Sequence, residues 1–464
     1  MEGYTSYQHL QLGWTDILPS HWGVKRLKRV LSERKENNNP VKTNEILSLT
    51  NTRGVIPYSE KGNIGNKSKE NIEGYHLTYP NDLVVNSMNV VIGSVGVSDY
   101  FGAISPVYYA LMSRGEANIK YYEYIFRLPS FEETLKGLGN GILEIRMRIP
   151  MSKLNNVLLP LPPRIEQDQI VRFLDWKVSD INKLIGIRWK EIQELEELRE
   201  NTILHATTSG LDTSVPMKRT DNFWIGTIPE HWNVVQVRRV YSVILGKMLA
   251  TKPAYSSDTY EEYVCAKDVH FDGVDLSDLK QMWFSTSEKQ QYKIEANDLL
   301  IVEGGAGAGN AALVEEPLDR DIYVQNSIHI VRPKSNRATT KFLAYWMRSM
   351  VKRNYMTFVC SVATIPHYTK DKVMSTVMPL PPENEQKEIV RYLDNECEKI
   401  NNLITKKHSQ IETLQELKNS LISDIVTGKI DVRNITVPEY EHVDDIVDDD
   451  SENNEETETD GEEA

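Results

Sequence analysis

Residues 160–175, PLPPRIEQDQIVRFLD, return as residues 379–394, PLPPENEQKEIVRYLD. The offset is 219 residues at both ends of the match, from Pro160 to Pro379 and from Asp175 to Asp394, and 11 of the 16 positions are identical without a gap. The register continues beyond it, with INKLI (181–185) over INNLI (400–404) and Asp212 over Asp431. A gapless internal match of this length marks a duplicated unit, so any fold for this chain must use the same construction twice.

The Pro run is extended and cannot enter a helix interior, so it is expected to end the preceding domain. A helix can start near Glu166 or Asp168, whose carboxylates suit its positive N-terminal end. Apolar residues then recur at Ile170, Leu174, Ile181, Ile185, Ile192, Leu195 and Leu198, and in the second copy at Ile389, Leu393, Ile400, Ile404, Ile411, Leu414, Leu417 and Leu421. Steps of three, four and seven predict a narrow apolar seam on a helix running roughly 60 Å from Pro163 to His205. Such a helix cannot bury its seam alone. The simplest partner is the other copy, in an antiparallel coiled coil with Ile181, Ile185, Ile192 and Leu195 on one seam and Ile400, Ile404, Ile411 and Leu414 on the other. Two amphipathic helices on unrelated cores form the competing arrangement, which the equal seam lengths disfavour.

A second match, at a different offset, opens the block before each repeat. GWTDILPSHWGVKRLKRV (13–30) lies over FWIGTIPEHWNVVQVRRV (223–240), with Trp14, Pro19, Trp22 and Arg29 each 210 residues before Trp224, Pro229, Trp232 and Arg239. The block interiors diverge. Each holds short β-type runs, DLVV (82–85) and VYYALM (107–112), then DLLIV (298–302) and SIHIV (327–331), separated by Gly-rich turns. Each closes on an aromatic, helical segment, KYYEYIFRL (120–128) and KFLAYWMRSM (341–350). The expected class is α+β: a mixed α/β globule over 1–159, a long helix over 160–212, a second globule over 213–378, a second helix over 379–433 and an acidic, disordered tail over 434–464.

The chain has 464 residues and a net charge of −14, but residues 439–464 alone hold 14 Asp/Glu and no Lys or Arg. The remainder carries 53 acidic and 53 basic residues and is neutral. The tail, poor in apolar residues, reads as a solvated segment. Cys265, Cys360 and Cys397 show no CxxC spacing, which disfavours a disulfide framework or a zinc site. No apolar signal segment opens MEGYTSYQHLQLGW and no run approaches a membrane span. A soluble, cytoplasmic protein without a membrane partner is expected.

Little in the sequence suggests bond chemistry. GGAGAGN (304–310) spaces Gly304 and Gly309 like a phosphate loop, but Asn310-Ala311 stands where Lys-Ser/Thr is required. A tight loop admitting close backbone approach to a ligand is the better reading. HExxH, GxSxG and metal-ligand His spacings are absent from the sequence, and His21 and His231, each before a Trp, read as structural. What remains is polar loop surface with basic and amide side chains suited to nucleic acid: Arg53, Asn89, Arg146, Arg148 and Lys153 in the first globule, and Asn310, Asn326, His367 and Lys370 in the second. Arg can bind guanine and Asn adenine bidentately. IRMR (145–148), read as a strand, aims both Arg side chains off one face.

The twofold PLPPxxEQxxIVRxLD boundary, the long helix after each copy, and the closing TSGLD (208–212) and TGKID (427–431) resemble the specificity subunit of a type I restriction-modification system over residues 10–433. VVIGSVGVSDYFGAISPVYY (90–109) is similar to one class of that family's target-recognition domains, and DLLIVEGGAGAGNAALV (298–314) with YVQNSIHIVRP (323–333) to another. Asn310 departs from the pattern, since many relatives of the second class carry Arg there. The resemblance implies that each globule reads one half of a split, asymmetric site in double-stranded DNA. It implies that the helices set the gap and dock two methyltransferase subunits, joined by motor-endonuclease subunits. No cofactor is expected in this chain. S-adenosylmethionine, ATP and magnesium would serve the partners, and the methyltransferase would flip its target adenine out of the duplex. The alternative is a coiled-coil adaptor whose globules bind proteins, mildly favoured by the neutral body.

Overall fold

The computed structural model describes residues 2–50, 53–61, 72–88, 90, 93–139, 148–360 and 366–445. The chain divides into two compact units, Met1–Lys190 with Lys407–Ala464, and Glu191–Lys406. Four helices frame these units: α1 (Ile119–Phe126), α2 (Arg164–Ser209), α3 (Thr340–Lys352) and α4 (Glu383–Val426). The division falls inside the two long helices, so each unit holds the start of one and the end of the other.

In the first unit a four-stranded antiparallel sheet runs in the order Leu31–Glu33, Tyr108–Ser113, Leu83–Asn86, Val95–Val97. The second unit repeats it as Tyr241–Leu245, Ile328–Pro333, Leu299–Val302, Ala311–Leu313. The β-type runs of the sequence are therefore the central strands of each sheet. The Asp that opens DLVV and DLLIV is a lock: Asp82 and Asp298 are 2% exposed, and each takes two bonds from one guanidinium, Arg34 at 2.6 and 2.9 Å and Arg332 at 2.6 and 2.7 Å. A buried carboxylate is tolerable only when so paired.

The Pro run does not end the globule. Leu158–Leu161 pairs antiparallel with Gly23–Arg26, and Val377–Leu380 with Asn233–Gln236. Proline is accommodated because each pair is a two-stranded ribbon whose outer edge needs no donor. The strand leads directly into α2, which starts at Arg164, ahead of the position expected from the acidic residues. At 46 residues α2 is about 69 Å long. Its first turns belong to the globule's core: Ile170, Phe173 and Leu174 are buried with Trp22, Tyr121 and Phe131. In the second unit Ile389 and Leu393 are buried with Trp232, Phe342 and Trp346.

The repeated EQ dipeptide explains the junction. Glu166 accepts from Trp22 Nε1 at 2.6 Å and meets His21 Nε2 at 2.7 Å; Glu385 does the same with Trp232 and His231, both at 2.9 Å. Gln167 Oε1 accepts the backbone N–H of Asn118, the N-cap of α1, while its amide donates to Pro162 O. Gln386 repeats both bonds with Thr339, the N-cap of α3, and with Pro381. One dipeptide thus ties the globule's opening, its closing helix and the Pro run to the first turn of the long helix.

Along the long helices Ile181, Ile185, Ile192, Ile400 and Ile411 are buried, and Leu195, Ile404 and Leu414 are half-buried. Leu198 and Leu417, expected on the seam, are 52% and 53% exposed. Each lies six residues past a buried Ile, about 600° along a helix and so about 120° off its stripe. In the first unit Asn182 accepts from Lys418 Nζ at 3.3 Å and Trp189 meets His408 with ring centroids 5.4 Å apart. In the second, Arg199 Nη1 donates to Asn401 Oδ1 at 2.6 Å.

Residues 434–445, expected to belong to a disordered tail, lie against the first unit instead. Gln169 Nε2 donates to Ile435 O at 2.7 Å, Asn182 Nδ2 donates to Val443 O at 3.0 Å, and Lys418 pairs with Asp445 at 2.9 Å. The acidic composition is matched by cations already on the surface. The rest of the tail, 446–464, is outside the described residues.

Candidate nucleic-acid interface

In the second unit the glycine-rich stretch is the connection between strands Leu299–Val302 and Ala311–Leu313. It turns tightly because Gly305 and Gly309 both adopt φ +86°, and a Cβ on Gly309 would collide with Met356. Its ends are closed by Gly309 N–H to Val302 O and Val302 N–H to Asn310 O, both 2.9 Å. Two other segments are bonded to it through backbone. Glu303 N–H donates to Ser327 O at 2.8 Å, and Gly305 N–H to Pro366 O at 3.2 Å. A side chain on Gly304 would press on His367 Nδ1 at 3.0 Å.

These bonds bring together four candidates from distant sequence: Asn310, Asn326, His367 and Lys370. His367 and Lys370 are exposed, and Asn326 and Asn310 are half-buried. Asn326 N–H is held by Lys247 O at 2.8 Å. The Asn310 amide lies close over Gly307 of its own loop. Lys247, which the sequence reading missed, is occupied by Glu288 at 2.5 Å and lies over the Phe284 ring. The exposed Met248 and Leu249 follow it.

Beneath this face lies a second residue missed from sequence, His329 of SIHIV. It is completely buried, with Nε2 3.0 Å from Tyr368 O and 3.8 Å from Glu303. Burial pushes its pKa from the usual 6.5 down to about 4. The neutral ring therefore donates from Nε2 to the carbonyl, while Nδ1 has no partner among the described residues. Burial also raises the Glu303 carboxyl above the usual range. His329 fixes the segment carrying His367. Its only sequence signal is a histidine at an inward position of an apolar strand.

In the first unit Arg53 sits on the turn between strands Leu47–Thr50 and Gly54–Pro57, with its guanidinium on Glu60 Oε2 at 3.1 Å. Arg148 is exposed and precedes Ile149, whose N–H bonds Ser87 O at 2.9 Å. Lys153 lies on the short helix Met151–Leu154. The segment 148–153 is thus anchored beside the turn after strand Leu83–Asn86, whereas Arg53 stands on a different turn. Asn89, Arg146 and the rest of the IRMR run lie outside the described residues.

Among the described residues no group of three or more His, Cys, Asp or Glu could hold a metal ion, and no helix is long and apolar enough to cross a membrane.

Residues 229–413 match the family described as the type I restriction modification DNA specificity domain. The chain is 26% identical over 311 residues to the type I restriction enzyme MjaVIII specificity subunit of Methanocaldococcus jannaschii, covering 64% of this chain and 67% of that one. It is 24% identical over 437 residues to the putative MjaX specificity subunit of the same organism, covering 90% and 95%. A chain from a solved structure on complex assembly and conformational transition of the type I R-M system shares the fold, with a TM-score of 0.66 at 15% identity over 89% of this chain and 99% of that one. The matched stretch spans most of the second globule and the first part of α4, and the fold likeness extends over both units. By this domain and by its curated relatives, the chain is similar to the specificity subunits of type I restriction-modification systems.

Proposed function

We propose that this chain is the sequence-reading subunit of a type I restriction-modification complex. It binds double-stranded DNA specifically, each unit reads one half of a split asymmetric site, and the chain itself performs no bond chemistry. The observation that carries this reading is one four-stranded sheet built twice and dressed with two different loop faces. Identical frames keep the two readers equivalent to their partners, while divergent loops present different donors and acceptors to bases. The long helices form an antiparallel coiled coil that sets the gap and docks two methyltransferase subunits, with motor-endonuclease subunits joining that core. Contacts pairing Asn182 with Lys418 and Trp189 with His408, one number rising as the other falls, support the antiparallel sense. In the second half-site face Asn326, His367 and Lys370 approach DNA. In the first, Arg148 and Lys153 do so with Asn89 and Arg146, and Arg53 contributes from its separate turn.

The test is a map of methylated adenines in cells carrying the chain with its methyltransferase. Exchanging residues 213–378 for the same block of a relative should change one half-site and leave the other half and the gap intact. Change in both halves overturns the modular reading. Inserting four residues after Gln193 adds about 6 Å to α2 and should lengthen the gap by about one or two base pairs with both half-sites unchanged.

A further inference from the structure

One corner occurs in both units. In the first, Tyr124 O–H donates to Asp175 at 2.8 Å and Lys418 Nζ to Asn182 at 3.3 Å. In the second, Tyr345 O–H donates to Asp394 at 2.7 Å and Arg199 Nη1 to Asn401 at 2.6 Å. Asp175, Asn182 and Arg199 stand 219 residues before Asp394, Asn401 and Lys418, the offset of the internal repeat. Tyr124 and Arg127 stand 221 before Tyr345 and Arg348.

In the first unit this corner is filled by the chain's own segment 440–445. Val443 N–H donates to Ser179 Oγ at 3.4 Å and its carbonyl accepts from Asn182 Nδ2 at 3.0 Å. Asp445 lies 2.9 Å from Lys418 Nζ and 4.0 Å from Arg127 Nη1. In the second unit the corresponding corner is a cavity of about 730 Å³, with Phe271, Leu276, Leu313 and Leu318 among its apolar walls and Arg199, Arg348 and Asn401 on its polar side.

The second corner keeps matched cations but is richer in carboxylates, with Asp272, Glu315, Glu316, Asp394 and Glu398 on its lining. Arg348, the counterpart of Arg127, is bonded by two carboxylates near at hand, Glu200 at 3.0 Å and Asp272 at 3.1 Å, where Arg127 has Glu123 at 3.0 Å and reaches Asp445 at 4.0 Å. Glu398 replaces Ser179, and Glu398 and Glu316 line the cavity without a cation partner among the described residues. A cavity of this size with apolar walls and a few convergent polar groups has the properties of a ligand site. We propose that the cavity of the second unit is a docking groove for an extended peptide segment of a partner protein, carrying apolar side chains and Lys or Arg, and that segment 440–445 is the resident ligand of its twin.

Fluorescence anisotropy on the purified full chain at about 0.15 M salt tests this. The probes are a labelled TVPEYEHVDD peptide (residues 436–445), the same peptide with Glu439, Glu441, Asp444 and Asp445 each changed to Lys, and a scrambled form of the latter. The charge-reversed peptide should bind at least about ten-fold more tightly than the scrambled one. It should also slow maleimide labelling of Cys397, which lines the cavity, but not of Cys265, which does not. Glu398→Lys with Glu316→Lys, both exposed, should weaken that binding by about ten-fold or more. Equal binding of reversed and scrambled peptides, unprotected Cys397, or a double variant that binds normally overturns the proposal. Equally tight binding of the native acidic peptide would overturn it too, by assigning the groove to a second copy of this chain.

Discussion

The carboxylate of Glu166 accepts the indole N–H of Trp22 at 2.6 Å, across 144 residues of sequence. Glu385 and Trp232 repeat the bond at 2.9 Å across 153. In each unit the repeated boundary motif is fastened to the matched globule opening at this point, so the long helix inherits a fixed direction from the sheet that precedes it.

Removing the acceptor should therefore destabilise the first unit more than the second. Glu166 is 9% exposed at its side chain and Glu385 is 24%. Glu166→Ala leaves the buried Trp22 N–H without a partner, at a cost of about 1–3 kcal/mol. Glu385→Ala should cost less, because the position Glu385 vacates is nearer solvent and water can take the carboxylate's place. Urea denaturation followed by tryptophan fluorescence measures both.

Gly428 and Gly226 separate backbone strain from crowding. Both have positive φ, +71° and +72°, but a Cβ on Gly428 would collide with Pro19 and Trp22 while one on Gly226 meets open space. Gly226→Ala should cost about 1–2 kcal/mol for the left-handed conformation. Gly428→Ala should add about 1–3 kcal/mol of overpacking. Equal melting temperatures for the two variants would contradict the packing.

Acidification should act oppositely on the two units. His329, held near pKa 4 in the native state, takes its proton at about 6.5 once unfolded. Between those values the unfolded state binds more protons, so the second unit's stability is complete above pH 6.5 and falls by about 3 kcal/mol as pH drops to 4. Glu132 in the first unit is pushed up by burial from 4.5 to about 7, so its native form takes the proton first and that unit gains as pH falls from 7 toward 4.5. Unfolding measured from pH 7.5 to 4 should show both slopes, the first flattened by His329→Gln and the second by Glu132→Gln.

On DNA, Lys370 and Asn326 should fail differently. Lys370→Ala should weaken binding to all sequences alike and reduce the salt slope by about 1. Asn326→Ala should cost about 1–3 kcal/mol at one base position and relax specificity there. Filter binding across a salt series, with single-base variants of the mapped site, separates the two.

From sequence alone the duplication, the two long helices, the central strands and the family resemblance were legible. Each rests on a local signal: an offset shared by many residues, a helical period, or an apolar run between glycines. The functions of His21, Glu166 and Gln167 were not legible, because their partners lie on elements over a hundred or about fifty residues away. The gathering of Asn326 and His367 around the glycine loop depends on backbone bonds between three loops that share no pattern. His329 looked like any strand residue until its burial was known. The segment 440–445 read as a solvated tail because composition counts its carboxylates but not the lysine and arginine that meet them. Periodicity and repetition are properties of the chain itself; burial, pairing and charge compensation arise only when distant segments meet, and the tertiary structure alone decides them.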